Sequence, residues 1–134
     1  MTRKLFRARR STQRLGRRGE NVVCRLYRRL GCELLARNWR CRAGELDLVF
    51  RDGGLLRFVE VKSRRYRPDR TPAENLSFRQ ARRNFHAADF YFRMIGAPRY
   101  ERRYDLVEVE FGRFLVREIR RIPDYLPPQS ANGT

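Results

Sequence analysis

Carboxylates and a lysine are concentrated in two neighbouring segments whose patterns predict β-strands. Glu60 and Lys62 lie two positions apart in one segment, and Glu45 and Asp47 lie two apart in the segment before it. Because side chains alternate across a strand, each pair shares one face of its strand. Clustered carboxylate oxygens suit Mg²⁺ or Mn²⁺, and such ions promote the hydrolysis of phosphate esters.

The two segments are predicted to pair as a hairpin, because Asp52-Gly53-Gly54 between them is a strong turn signal. A turn at Gly53-Gly54 places Asp47 opposite Glu60, whereas a turn one residue earlier places Glu45 opposite Glu60. Either even-length loop puts the acids and the lysine on one face of the hairpin. A loop of odd length would separate them.

A further carboxylate, Glu20, shares the apolar stripe of the first predicted helix with Val23 and Tyr27. Carboxylates in a mostly apolar layer cannot all stay ionised without compensation. Three compensations are open: arginines pair with the acids, one acid is protonated, or a divalent ion binds. For Glu45 we expect pairing with an arginine, and the alternative is a supporting place in the metal shell.

Lys62 favours the divalent ion among these compensations. Only two of the 32 basic residues are lysine. Arginine would serve equally for surface charge, whereas the compact ammonium of lysine can orient or activate a water molecule. The alternative is that Lys62 is an ion-pair partner of Glu45 or Glu60.

The elements that must position these residues follow from periodicity and from capping and turn signals. We predict a helix from Ser11 or Thr12 to about Leu30, three strands, a second helix from Thr71 to about Ile95, and a final hairpin around Gly112. The order α-β-β-β-α-β-β predicts a single α/β domain with one mixed β-sheet flanked by helices. Its expected bounds are residues 11–122, after a basic flexible arm (1–10) and before a disordered tail (123–134).

The charge of the chain indicates a polyanionic partner. The 134 residues carry a formal net charge of +17, which favours nucleic acid. Neither a signal peptide nor a membrane span is predicted, and three cysteines without a paired motif fit a reducing cytoplasm. Phe90 and Tyr91 fall off the main apolar stripe of the second helix and suggest a homodimer contact. The expected phosphate contacts are Arg7, Arg9, Arg10, Arg64, Arg65 and Arg67.

Three motifs together resemble a known family. Gly19-Glu20, the run GELDLV from Gly44 and the run FVEVKSR from Phe58 are similar to the YraN-like proteins, small bacterial proteins that are largely uncharacterised. That family is in turn similar to the restriction-endonuclease-like, or PD-(D/E)XK, nucleases and to archaeal Holliday junction resolvases. The resemblance covers about residues 14–110.

The resemblance implies a restriction-endonuclease-like fold and a Mg²⁺-dependent nuclease that acts on branched or structured DNA. Asp47 and Glu60 would be metal ligands, Lys62 would act on the water or the phosphate, and Glu20 would be the helix acid. Gln80 stands where the family would place a lysine, as a supporting contact to the phosphate or the metal shell. Two alternatives remain open: a non-catalytic nucleic-acid-binding module in which the acids form structural ion pairs, and an assembly factor in a nucleic-acid complex.

Overall fold

The fold contains two helices and five strands in the predicted order. The computed structural model describes residues 2–69, 78–96 and 99–125, with side chains for 12–69, 83–96 and 99–125. The elements are α1 (Thr2–Arg29), β1 (Glu33–Cys41), β2 (Gly44–Asp52), β3 (Leu55–Arg65), α2 (Phe78–Met94), β4 (Glu101–Phe111) and β5 (Val116–Ile122). This is the α/β order predicted for a restriction-endonuclease-like domain.

The strands form one mixed sheet in sequence order, β1-β2-β3-β4-β5. The pair β3–β4 is parallel and the other three pairs are antiparallel. A parallel pair needs a crossover connection, and α2 lies in that connection. Asp52 pairs with Leu55, which confirms the turn at Gly53-Gly54, and the positive φ of Gly53 (58°) explains why glycine stands there.

The helices cover opposite faces of the sheet. On the α1 face, Val23 and Tyr27 pack against alternate residues of the strands, including Leu48 and Val107. On the α2 face, Ala88 and Tyr91 pack against the opposite set, including Phe58. Strands covered on both faces carry apolar residues at odd and even positions, as β2 and β3 do.

The end of α1 follows the predicted glycine signal, but its beginning does not follow the predicted cap. Gly31 adopts φ 90°, and the amides of Gly31 and Cys32 donate to the carbonyls of Arg28 and Tyr27 at 3.0 Å each. This is a Schellman motif, which requires a left-handed residue just after the helix. The helix begins at Thr2, so residues 2–10 continue α1 and the predicted start at Ser11 or Thr12 is wrong.

Tyr91 and Tyr125 lie in environments that the sequence did not predict. Tyr91 is 5% exposed and contacts the rings of Trp39 and Phe58, so it is a core residue and not a dimer contact. Tyr125, predicted to lie in the disordered tail, donates its amide to the Tyr104 carbonyl at 2.9 Å. The predicted tail from 126 onward and the predicted start of α2 at Thr71 lie outside the described residues.

In the part of the chain that the structure describes, no helix is long and apolar enough to cross a membrane. The three cysteines are free thiols, with Cys24 and Cys32 buried.

Candidate active site

The sheet forks at Asp47. The β2–β3 ladder ends at the pair Leu48–Val59, while β2 continues to pair with β1 as far as Gly44, and β3 continues with β4 as far as Arg65. Beyond the last pair, the Val61 amide donates to Oδ2 of Asp47 at 2.9 Å. A side-chain oxygen thus takes the place of a strand carbonyl, and the carboxylate is inserted between the diverging strands.

Glu60 joins Asp47 in this fork, as the confirmed register requires. Desolvation by burial raises the pKa of Asp47 to about 6. The Val61 amide and a hydrogen bond with Glu60 oppose the rise, and the negative charges of Glu20 and Glu45 add to it. Among the described residues, no arginine or lysine forms an ion pair with Asp47. The fork therefore holds two adjacent carboxyl groups, one of which resists ionisation.

Helix α1 reaches the fork because Gly19 permits a close approach. A Cβ atom at Gly19 would lie 1.8 Å from Ser63 Oγ and 3.0 Å from Ser63 Cβ, so a larger residue fits only if the Ser63 side chain moves. The next residue, Glu20, accepts a hydrogen bond from Asn38 Nδ2 at 3.2 Å and pairs with Arg37 at 3.4 Å. Glu20 thus acts on Asp47 through its charge while its carboxylate is bound to β1.

Lys62 and Glu45 lie at the edge of the fork. Lys62 is half-buried and lies two residues beyond Glu60 on the same face of β3. Glu45 is 3.6 Å from Arg40, so its predicted pairing with an arginine is confirmed. The alternative in which Lys62 is an ion-pair partner of Glu45 or Glu60 stays a prediction.

Two polar residues that sequence reasoning missed line a small cavity beside the acid pair. The cavity has a volume of about 10 Å³, enough for about one water-sized species. Asn84 Nδ2 donates to Tyr125 Oη at 3.4 Å across it. A signal existed for Asn84, since it is a polar residue on the apolar stripe of α2. The lining residues are Leu46, Asp47, Phe58, Val59, Glu60, Asn84, Tyr104 and Tyr125.

Comparison of the sequence with known proteins places the chain in a family. The model of the uncharacterised protein family UPF0102 matches residues 19–109. A UPF0102 protein of Nocardia farcinica is 43% identical over 97 residues, which cover 72% of this chain and 76% of that protein. One from Symbiobacterium thermophilum is 41% identical over 75% of this chain and 86% of its own length, and one from Pseudomonas aeruginosa is 37% identical over 76% and 82%.

The chain belongs to UPF0102. This confirms the YraN-like membership expected from the sequence motifs. The span that UPF0102 shares includes all four predicted catalytic residues, Glu20, Asp47, Glu60 and Lys62. Tyr125 lies outside it.

A second buried carboxylate in this UPF0102 chain has a different environment. Asp105 is fully buried, accepts a hydrogen bond from Tyr27 Oη at 2.5 Å, and lies 3.1 Å from Arg121 and 3.5 Å from Arg57. Its charge is matched by two guanidinium groups within the α1 face of the sheet. Asp105 is therefore a structural acid, in contrast to Asp47.

Three of the predicted phosphate contacts lie at or just beyond the end of β3 that follows Glu60 and Lys62. Arg64 and Arg65 continue β3 beyond the fork, and Arg67 is exposed just after the strand. Tyr66 donates its amide to the Phe111 carbonyl at 2.8 Å and so extends the contact between β3 and β4 beyond Arg65. The side chains of Arg7, Arg9, Arg10 and Gln80 lie outside the described residues.

A larger open groove of about 660 Å³, lined mainly by apolar surface, lies between α2 and β1 and shares no lining residue with the small cavity beside Asp47 and Glu60. Trp39 lines it and packs edge-on against Tyr91 at 5.3 Å between ring centroids, so Trp39 has a packing role. His86 is exposed on α2, as expected of a helix-surface residue.

The residues of the fork fit a small divalent cation. Mg²⁺ is often bound through one or two carboxylates while it keeps several of its waters, and Asp47 and Glu60 supply such a pair. Within the described residues there is no group of three or more His, Cys, Asp and Glu side chains arranged to hold a metal. Two carboxylates would suit Mg²⁺ or Mn²⁺, which keep bound water, better than a metal that needs a closed protein cage.

Proposed function

We propose that this chain is a Mg²⁺- or Mn²⁺-dependent phosphodiesterase that acts on branched or structured DNA. The observation that carries the proposal is the acid pair in the fork. Asp47 and Glu60 touch each other in a desolvated site where no basic side chain among the described residues pairs with Asp47. A buried carboxylate with a purely structural role is normally paired with basic side chains, as Asp105 is paired with Arg57 and Arg121.

Asp47 and Glu60 would hold the divalent ion. When bound, the ion supplies a Lewis acid for the phosphate oxygen and lowers the pKa of a coordinated water. The Val61 amide fixes the orientation of the Asp47 carboxylate. Lys62, on the same face as Glu60, would contact the phosphate or orient the attacking water. Glu20, fixed by Asn38, would keep the site negative and so favour the cation.

The arginines that follow the fork would bind the DNA backbone. Arg64 and Arg65 lie on the strand that carries Glu60 and Lys62, so phosphate contacts and the acid pair are held by one rigid element. The net charge of +17 supports a polyanionic substrate. The preference for branched DNA rests on the resemblance to Holliday junction resolvases described above.

A non-catalytic DNA-binding module is the second candidate. It is favoured by the small volume of the acid cavity, which Tyr125 and Asn84 close on one side. In this alternative Asp47 would be protonated and would donate a hydrogen bond to the Glu60 carboxylate.

A cleavage screen separates the two candidates. Linear, nicked, flapped and four-way DNA would each be incubated with the protein in Mg²⁺, in Mn²⁺ and in EDTA. The proposal predicts metal-dependent cleavage of at least one substrate, lost in Asp47→Asn and Glu60→Gln but kept in Glu45→Gln, whose exposed carboxylate pairs with Arg40. Binding without cleavage of every substrate in both metals would replace the enzyme proposal with the binding module.

A further inference from the structure

The turn between β4 and β5 exposes two adjacent large apolar side chains. Phe114 is 77% exposed and Leu115 is 78% exposed. Neither belongs to the packed clusters on the two faces of the sheet. Single exposed apolar residues are common, but two at the apex of a hairpin form a projecting apolar surface that folding does not require. We call residues 112–115 the hairpin tip.

The hairpin tip is held in a defined conformation. The Gly112 amide donates to the Leu115 carbonyl at 2.8 Å, which closes the turn immediately after Phe111. From α1, Arg18 Nη2 donates to the Phe114 carbonyl at 3.3 Å, and its guanidinium lies 4.7 Å from the centroid of the Phe111 ring. A turn fixed from two sides presents its side chains at low entropic cost to a partner.

Positive charge surrounds the hairpin tip. Arg113 lies with its guanidinium 5.4 Å from the Phe114 ring, and Arg117 lies 3.2 Å from the ring of Tyr66, which is itself 40% exposed. Arg18 adds a third guanidinium. Apolar side chains among guanidinium groups complement a nucleic acid that offers an unstacked base between two phosphates.

The hairpin tip and the fork lie towards the same end of the sheet. Because β3 and β4 are parallel, Glu60 is level with Leu106 and Arg65 is level with Phe111. Five residues at about 3.3 Å each separate these levels, so the base of the hairpin tip lies about 17 Å beyond the acid pair along the strands. That separation is about half of one turn of duplex DNA, which spans about 34 Å.

We propose that the hairpin tip is a wedge that places Phe114 and Leu115 against bases at an interrupted stack, while Arg18, Arg113 and Arg117 bind the flanking phosphates. The inference rests on the proposed function for its choice of nucleic acid as the partner. An anionic membrane is the competing partner, since apolar and basic side chains together also bind lipid surfaces. The arginines that continue β3 from the acid pair to the tip favour nucleic acid.

The test measures binding in EDTA, where no cleavage interferes. Four-way DNA and intact duplex of the same length would be titrated with the unmutated protein and with Phe114→Ser/Leu115→Ser. Base stacking is worth about 1–3 kcal/mol per base, so the double substitution should weaken binding to four-way DNA by about tenfold or more. The loss on intact duplex should be smaller. The slope of log affinity against log salt should change by less than about one, because phosphate contacts remain.

Two further variants control for loss of apolar surface and for folding. Phe90→Ser/Met94→Ser removes side chains that are 52% and 60% exposed on α2 and should change DNA affinity by less than about twofold. Phe114→Trp keeps an aromatic surface and should retain the affinity of the unmutated protein. The fluorescence of a 2-aminopurine base placed at the junction should increase when the unmutated protein binds, because the base is unstacked. The increase should be smaller with the double serine variant.

The outcomes are distinct. Equal affinities of the unmutated protein and the double serine variant for four-way DNA, with the same 2-aminopurine response, overturn the wedge. The wedge is also overturned if the unmutated protein floats with phosphatidylglycerol vesicles, the double serine variant does not, and the two bind DNA with equal affinity. That result assigns the hairpin tip to a membrane. If the unmutated protein binds no DNA, the wedge and the proposed function both fail. If it binds DNA through the hairpin tip but cleaves none, only the enzymatic part of the proposed function fails.

Discussion

Asp47→Asn should stabilise the protein at neutral pH without metal. The folded environment raises the pKa of Asp47 from 3.8 to about 6, chiefly by desolvation. At about 1.36 kcal/mol per pKa unit, this corresponds to about 3 kcal/mol of unfavourable free energy for the ionised group in the folded state. Asparagine resembles the protonated acid, keeps an oxygen to accept the Val61 amide, and can donate to Glu60.

The sign of the pH dependence follows from proton binding. Between about pH 4 and pH 6 the folded protein holds a proton on Asp47 that the unfolded chain has released. The free energy of unfolding therefore falls as pH rises through this window, and the loss is complete above the folded pKa. An asparagine side chain does not titrate, so the free energy of unfolding of Asp47→Asn does not fall in this window. The difference in unfolding free energy between Asp47→Asn and the unmutated protein should therefore grow from near zero at pH 4 to as much as about 3 kcal/mol at pH 7.

Urea unfolding of both proteins in EDTA, at intervals between pH 4 and pH 7.5, measures this difference. Taking the difference between the two proteins cancels the titration of other groups that both share. Glu45→Gln is the matched control, because it removes a carboxylate two residues earlier on β2 whose side chain is 44% exposed. It should change stability by less than about 1 kcal/mol. A difference between Asp47→Asn and the unmutated protein that is constant with pH, or that favours the unmutated protein at pH 7, would refute the assignment of Asp47 as an uncompensated buried acid.

Four other substitutions test separate parts of the account. Asp105→Asn should destabilise the protein by about 1–3 kcal/mol in the same urea assay, because it removes the charged acceptor that Tyr27, Arg57 and Arg121 share; stabilisation would contradict its structural role. Gly19→Ala should cost about 1–3 kcal/mol through its clash with Ser63, whereas Gly16→Ala, with open space around it, should gain about 1 kcal/mol in helix propensity; similar melting temperatures for the two would show that α1 does not need close contact at Gly19. Lys62→Arg keeps the charge but changes its geometry, so cleavage should fall by about a hundredfold while DNA affinity is kept; full activity would rule out a specific lysine role.

The pairing of the acids was predictable because it depends on local signals. The Gly53-Gly54 turn fixes the register of β2 and β3, and the register alone brings Asp47 to Glu60. The environment of the pair was not predictable in the same way. Glu20 is placed near the pair by the hydrogen bond from Asn38 of β1 and by the close approach of α1 to β3 at Gly19. Both are tertiary contacts between segments distant in sequence.

Other differences arise where local signals are misleading. The proline-rich C-terminal segment is typical of disorder, yet Tyr125 docks on the Tyr104 carbonyl and on Asn84. Phe114 and Leu115 continue the apolar pattern of the last strand, but β5 begins at Val116 because a backbone hydrogen bond from Gly112 to Leu115 closes the turn before it. The catalytic, metal-binding and DNA-binding roles of the predicted residues stay predictions.

Titration of Mn²⁺ by calorimetry tests the central claim most directly, because the acid pair must bind a divalent ion if it is to hydrolyse a phosphodiester. We expect one Mn²⁺ per chain for the unmutated protein and for Glu45→Gln, and no binding by Asp47→Asn or Glu60→Gln. Near pH 6 the measured heat should depend on the buffer, because Mn²⁺ displaces the proton held by Asp47. Absence of Mn²⁺ binding by the unmutated protein, or binding that survives both Asp47→Asn and Glu60→Gln, would contradict the account.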